Sequence, residues 1–92
     1  MPKPVRPPIN EASFEAAFKL ARARLQKAIE KHGNGGFVSW HEILGKINEE
    51  HHELLVEVQK ETSERRDELV DIAVAAIWGV ASSLSDCLID EP

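Results

Sequence analysis

The run Leu69-Val70-Asp71-Ile72-Ala73-Val74-Ala75-Ala76-Ile77-Trp78-Gly79-Val80-Ala81 constrains this chain more than any other stretch. It is apolar nearly all the way round a helical wheel, so a helix built from it needs cover on most of its faces, from other helices or from a second subunit. Asp71 is the exception within it. A lone buried carboxylate costs several kcal/mol unless it is paired or bound to a metal. Its neighbours on the wheel are Glu68, Ala75 and Trp78. The chain therefore reads as all-α, with a central helix from about Glu64 to Leu84 that carries an acid it has to neutralise.

Two further helices are expected to provide the cover. The first starts near Asn10 or Ser13, both good N-caps, and repeats Phe14, Ala17, Phe18, Ala21, Leu25, Ala28 and Ile29 at helical spacing. Lys19, Arg22, Arg24, Lys27 and Lys31 make its other surface basic, either as a solvated face or as cations for substrate phosphates. His32-Gly33-Asn34-Gly35-Gly36 ends it, with Gly33 suited to a left-handed cap. This glycine-rich stretch lacks a phosphate-loop pattern, so it is expected to be a connector, or the mobile edge of a pocket. Ser39-Trp40-His41-Glu42 reads as a capping box, with Glu42 reaching back to the cap. The second helix then runs to about Lys60, with Trp40, Ile43, Leu44, Ile47, Leu54, Leu55 and Val58 on one stripe and His51 inside it. Glu61-Thr62-Ser63 forms the turn, Thr62 or Ser63 capping the third helix. So short a connection makes the second and third helices antiparallel neighbours. The tail from Ser85 to Pro92 is expected to be a last turn and a frayed end.

Residues 1–9, with Pro2, Pro4, Pro7 and Pro8, are an extended Pro-rich arm, free or packed on a partner subunit, ahead of a helical domain over residues 10–92. At 92 residues the chain holds one domain. A core this small is often completed by oligomerisation. The net charge of −5 argues against a nucleic-acid polymer as partner. No apolar stretch is long enough to span a membrane, no leader segment is visible, and the single cysteine, Cys87, fits a reducing compartment. A cytoplasmic protein is expected.

The acids on the second and third helices are spaced in pairs. Glu50 and Glu53 lie three apart on one helix, Glu68 and Asp71 three apart on the next, and residues so spaced are surface neighbours. Two helices facing each other with such pairs make a pocket of four or more carboxylates. Such a pocket needs cations, and a hard divalent ion suits oxygen ligands. Lys46 lies within roughly 40° of both Glu50 and Glu53 on the wheel, at 100° per residue. It serves as an ion-pair partner or as a contact to phosphate. Glu49 sits further round, toward solvent. Trp78 is either core or an apolar wall on which a base stacks.

The pattern Glu49-Glu50-x-x-Glu53, a spacer, then Glu68-x-x-Asp71 resembles the EExxE…ExxD signature of the MazG-like all-α nucleoside triphosphate pyrophosphohydrolases. Trp40 leading the second helix, Glu53-Leu54 and the Ala-rich helix after Asp71 extend the resemblance over roughly residues 14–84. The resemblance implies a helical homodimer or homotetramer. It implies Mg2+, with Mn2+ as substitute, bound by Glu50, Glu53, Glu68 and Asp71. It also implies cleavage of a (d)NTP to the (d)NMP and pyrophosphate. In such a site Glu49 or Glu53 accepts a proton from water, and Lys46 or Arg65 meets charge on the leaving pyrophosphate. Arg66, beside Arg65, is read as a solvated, charge-balancing residue. Two other readings remain open. One is a di-iron-type bundle, for which Glu49-x-x-His52 supplies one of two Glu-x-x-His motifs. The other is a non-catalytic oligomeric interaction module.

Overall fold

The structure, a computed structural model, describes residue 3 and residues 5–90. Three helices follow one another: α1 (Glu11–His32), α2 (Trp40–Gln59) and α3 (Arg65–Leu84). The described residues contain no strand. Of the Pro-rich arm, Met1, Pro2 and Pro4 lie outside the described residues, as do Glu91 and Pro92 at the other end. The described arm residues are exposed and without regular structure.

Local chemistry sets the helix ends. Asn10 caps α1, its side-chain oxygen accepting from the Ser13 N–H at 2.8 Å. Ser39 caps α2 through the Glu42 N–H at 3.0 Å. The return half of the expected box differs, because the Glu42 carboxylate accepts from Val38 N–H at 3.3 Å, one residue before the cap. Gly33 has positive φ, as expected, but at φ 80°, ψ −177° it is extended, not left-handed helical. That region is open essentially to glycine alone, and it sends the chain straight off the helix end. α2 stops at Glu61 with φ 55°. The Thr62 N–H bonds back to the Glu57 carbonyl at 3.2 Å and the Glu61 N–H to that of Val58 at 3.2 Å, a Schellman arrangement with Glu in place of glycine. Neither Thr62 nor Ser63 caps α3. The Thr62 hydroxyl bonds to the Glu57 carboxylate, and Glu64 occupies the cap position with no side-chain hydrogen bond.

α3 is the central element, as its apolar run requires: both other helices pack on it and not on each other. α2 runs antiparallel to it, since one end of the pair is closed by the short turn and the other by bonds from Val38 and Trp40 to Ile89 and Asp90. Gly79 is buried in this contact; a β-carbon there would sit 3.0 Å from Ile43 Cγ2. Arg24 reaches Asp71 near the middle of the pair α1–α3. The buried apolar residues are few: Ala21, Val74, Ala75 and Leu88. Part of α3 stays open in the single chain, with Leu69 56% and Val80 59% exposed. His51, placed by the wheel in the α2 stripe, is exposed, because α2 meets only one neighbour and half of its stripe faces outward. The accessible surface is 7547 Å², against about 5400 Å² for a compact monomer of this mass.

The described part of the C-terminal segment, residues 85–90, is not frayed. Ser85 and Asp86, the latter with φ 57°, turn the chain back. Cys87 N–H bonds to the Ser82 carbonyl at 3.1 Å and Ile89 N–H to Val38 at 2.8 Å. Leu88 is buried. The Asp90 carboxylate accepts from Trp40 N–H at 3.0 and 3.1 Å, placing negative charge at the positive end of α2. The glycine-rich connector is held by the same region. Phe37 N–H donates to the Ser82 hydroxyl at 2.9 Å, the Ser82 hydroxyl donates to Trp78 carbonyl at 2.8 Å, and the Trp78 indole N–H donates to Gly35 carbonyl at 2.8 Å. Ser82 is 2% exposed. Gly36 lies so close that a β-carbon would stand 2.7 Å from Cys87 Sγ.

Candidate metal centre and adjoining cavity

The register of the α2–α3 pair brings the two acid pairs to one level. Glu49, Glu50 and Glu53 each offer an oxygen within 4.8 Å of the others, and Glu50, Glu68 and Asp71 do the same. Glu50 belongs to both triplets. Oxygens on a magnesium ion at 2.0–2.1 Å lie about 3 Å apart when adjacent and about 4 Å when opposite, so either triplet would have to draw in to hold one. No histidine joins either group among the described residues.

The acids differ in how they are paired and buried. Glu50 is the only buried residue of α2, at 7% exposure. Its Oε1 pairs with Lys46 Nζ at 3.1 Å, while its Oε2 is buried without a hydrogen-bond partner. Burial raises its pKa above the usual carboxylate range, and the Lys46 hydrogen bond works the other way. Lys46 has its own pKa raised, first by that hydrogen bond. It also stands 3.8 Å from Glu49, so the ion-pair and site-facing readings hold together. Glu68 Oε2 is likewise buried and unpartnered. Burial first, then the charges of Glu53 and Asp71 and a hydrogen bond with Glu53, push its pKa up to about 7. Glu53 and Glu49 are exposed.

Asp71 is not alone. The Arg24 guanidinium of α1 ion-pairs with it, and with Asp67 at 3.5 Å. Arg24 therefore belongs to the site, which its place among five basic residues on α1 did not reveal.

Beside the carboxylates opens a cavity of about 370 Å³, bounded by Arg24, Lys46, Glu50, Asp71, Phe37 and Trp78. Gly35 and Gly36 also border it, so the connector is a pocket edge fixed by hydrogen bonds. Trp78 is both a cavity wall and a tether, its indole N–H engaged by Gly35. Its size and mixed lining are those of a small-molecule site. Arg65 is elsewhere: it is exposed at the start of α3, with Nε on Thr62 carbonyl at 3.0 Å, and does not border the cavity. Arg66 lines a separate groove of about 470 Å³ between α1 and α3, with Leu20, Leu69 and Val70. That groove contains no carboxylate.

No known family's sequence pattern, no curated protein and no solved structure matches this chain.

Proposed function

We propose that this protein is a Mg2+-dependent nucleoside triphosphate pyrophosphohydrolase, accepting Mn2+ in place of Mg2+, which converts a (d)NTP to the (d)NMP and pyrophosphate. One observation carries the reading. Glu50, shared by two carboxylate triplets, keeps a buried and unpartnered oxygen beside a cavity of about 370 Å³. A structural carboxylate at such a position would be expected to have its lone pairs satisfied. The resemblance of Glu49-Glu50-x-x-Glu53 and Glu68-x-x-Asp71 to the MazG-like signature supports the same choice.

The all-oxygen donor set fits a hard divalent cation, with Glu50, Glu53, Glu68 and Asp71 to hold it. It does not fit the di-iron pattern, since His52 is exposed and outside both triplets. A divalent cation here supplies positive charge and Lewis acidity toward a triphosphate. One of the two exposed acids of the motif, Glu49 or Glu53, takes a proton from the attacking water. Lys46, once free of Glu50, meets charge developing on the leaving pyrophosphate. Trp78 and Phe37 give the apolar wall for the base. Arg65, its Nε engaged by the Thr62 carbonyl, has no part in this reading.

The active form is a homo-oligomer. The accessible surface exceeds that of a compact monomer by about 2000 Å², some of it in the N-terminal arm. Phe18 at 67% and Leu84 at 78% exposure leave apolar surface for a partner copy, and a standard interface hides about 800 Å² per subunit.

Phosphorus NMR of each common NTP and dNTP with protein, with and without Mg2+, tests the reaction. Mg2+-dependent formation of monophosphate and pyrophosphate is expected, with Glu53→Gln and Asp71→Asn slower by about 10²–10³-fold. Full Mg2+-dependent turnover in both variants, or release of diphosphate and phosphate, would contradict it.

A further inference from the structure

Arg24 makes the ion pairs that join different helices among the described residues, to Asp67 at 3.5 Å and to Asp71; the pairs of Lys46 stay within α2. It also borders the cavity. Its side chain is 36% exposed, against 30% for Asp71 and 58% for Asp67, so it is neither locked in the interior nor loose on the surface. Of the acids that border the cavity, Glu50 and Asp71 each hold a cation of the chain itself, Lys46 and Arg24, while Glu42 accepts from the Val38 N–H.

A divalent ion ligated by Glu50 and Asp71 would take over the work of both side-chain cations. The released lysine and guanidinium would then border a cavity that has to receive a highly anionic triphosphate. Guanidinium suits that second role, because its planar fork matches phosphate oxygens in pairs. Asp67, more exposed than Asp71, remains as a tether on which Arg24 can turn.

We propose that Arg24 is a substrate-binding residue with two positions: it holds Asp71 in the metal-free protein, and turns to the phosphates of the nucleotide when a divalent cation takes Asp71. This rests on the metal-dependent reading given above. Metal and nucleotide binding are then coupled through one side chain, and removing it has opposite effects on the two.

The test is a pair of calorimetric titrations on folded protein: Mn2+ alone, and a non-hydrolysable α,β-methylene triphosphate at saturating Mg2+. Against the unmodified protein, Arg24→Met should bind Mn2+ roughly threefold tighter, having lost a competing charge at a part-exposed site. It should bind the analogue about tenfold more weakly, having lost a charge-assisted fork. Arg24→Lys should return Mn2+ affinity to the unmodified value and recover the analogue only in part. A merely structural tie between α1 and α3 would weaken both ligands together or change neither, and either result would overturn the proposal. Should Arg24→Met fail to fold, Arg24→Lys decides alone, and unchanged analogue affinity in it would overturn the proposal. Absence of Mn2+ binding to the unmodified protein would remove the metal reading itself, and the proposal with it. Mn2+ binding with unchanged variants would remove the proposal alone.

Discussion

The two halves of the α2–α3 pair treat their polar groups in opposite ways. At the end closed by the C-terminal segment, each polar group described above has a partner: the Ser82 hydroxyl is donor and acceptor at once, Trp78 donates to Gly35, and Asp90 accepts from Trp40. Nearer the turn, Glu50 and Glu68 each keep a buried oxygen with none, among acids that repel one another. A chain able to satisfy one end so fully has not done so at the other. Local rules broken at one place, within a scaffold that obeys them elsewhere, are what the proposed metal-dependent site would require. The connector over residues 35–37, Ser82 of α3 and the segment over residues 85–90 form a clasp that closes the α2–α3 pair at this end.

The largest effect on stability should come from disturbing the clasp. In Gly36→Ala the new methyl meets Cys87 Sγ at 2.7 Å and Ser82 Oγ at 3.2 Å, and the connector has to move away from α3. A loss of about 1–3 kcal/mol in urea unfolding is expected. An unchanged midpoint would mean that the connector packs loosely and that the comparison between the two ends is false.

A smaller effect should appear at the acidic end. The pKa of Glu68 is raised from 4.5 to about 7. Between those values the folded protein holds a proton that the unfolded chain has released, so stability falls as pH rises through this window. Glu68→Gln should flatten that fall, gaining about 2–5 °C in melting temperature at pH 7.5 in the absence of metal and nothing near pH 4. Parallel pH profiles for the two proteins would show that Glu68 is adequately solvated.

Much of the scaffold was legible because its signals are local. Asn10 and Ser39 announce their helices through the residue three positions on. The apolar run of α3 requires a central place, which it has. The acid spacing on α2 and α3 brings Glu50 of one helix together with Glu68 and Asp71 of the next once a short turn sets the register. What was illegible depends on contacts distant in sequence. Ser82 meets Phe37 across 45 residues and Asp90 meets Trp40 across 50, and no periodicity announces either. Arg24 has the same sequence surroundings as its basic neighbours on α1, and only the packing of α1 on α3 selects it. His51 was misplaced because a helical wheel assumes that the whole stripe is covered.

The most direct test is urea unfolding of the unmodified protein and of Glu50→Gln, each with and without Mg2+. If the buried Glu50 oxygen awaits a cation, Mg2+ at about a hundred times its dissociation constant should stabilise the unmodified protein by about 2.7 kcal/mol. Glu50→Gln should be at least as stable without metal and indifferent to Mg2+. A metal-indifferent unmodified protein, together with a Glu50→Gln variant that is less stable, would show that Glu50 is a structural partner of Lys46 and that the acidic end is no metal centre.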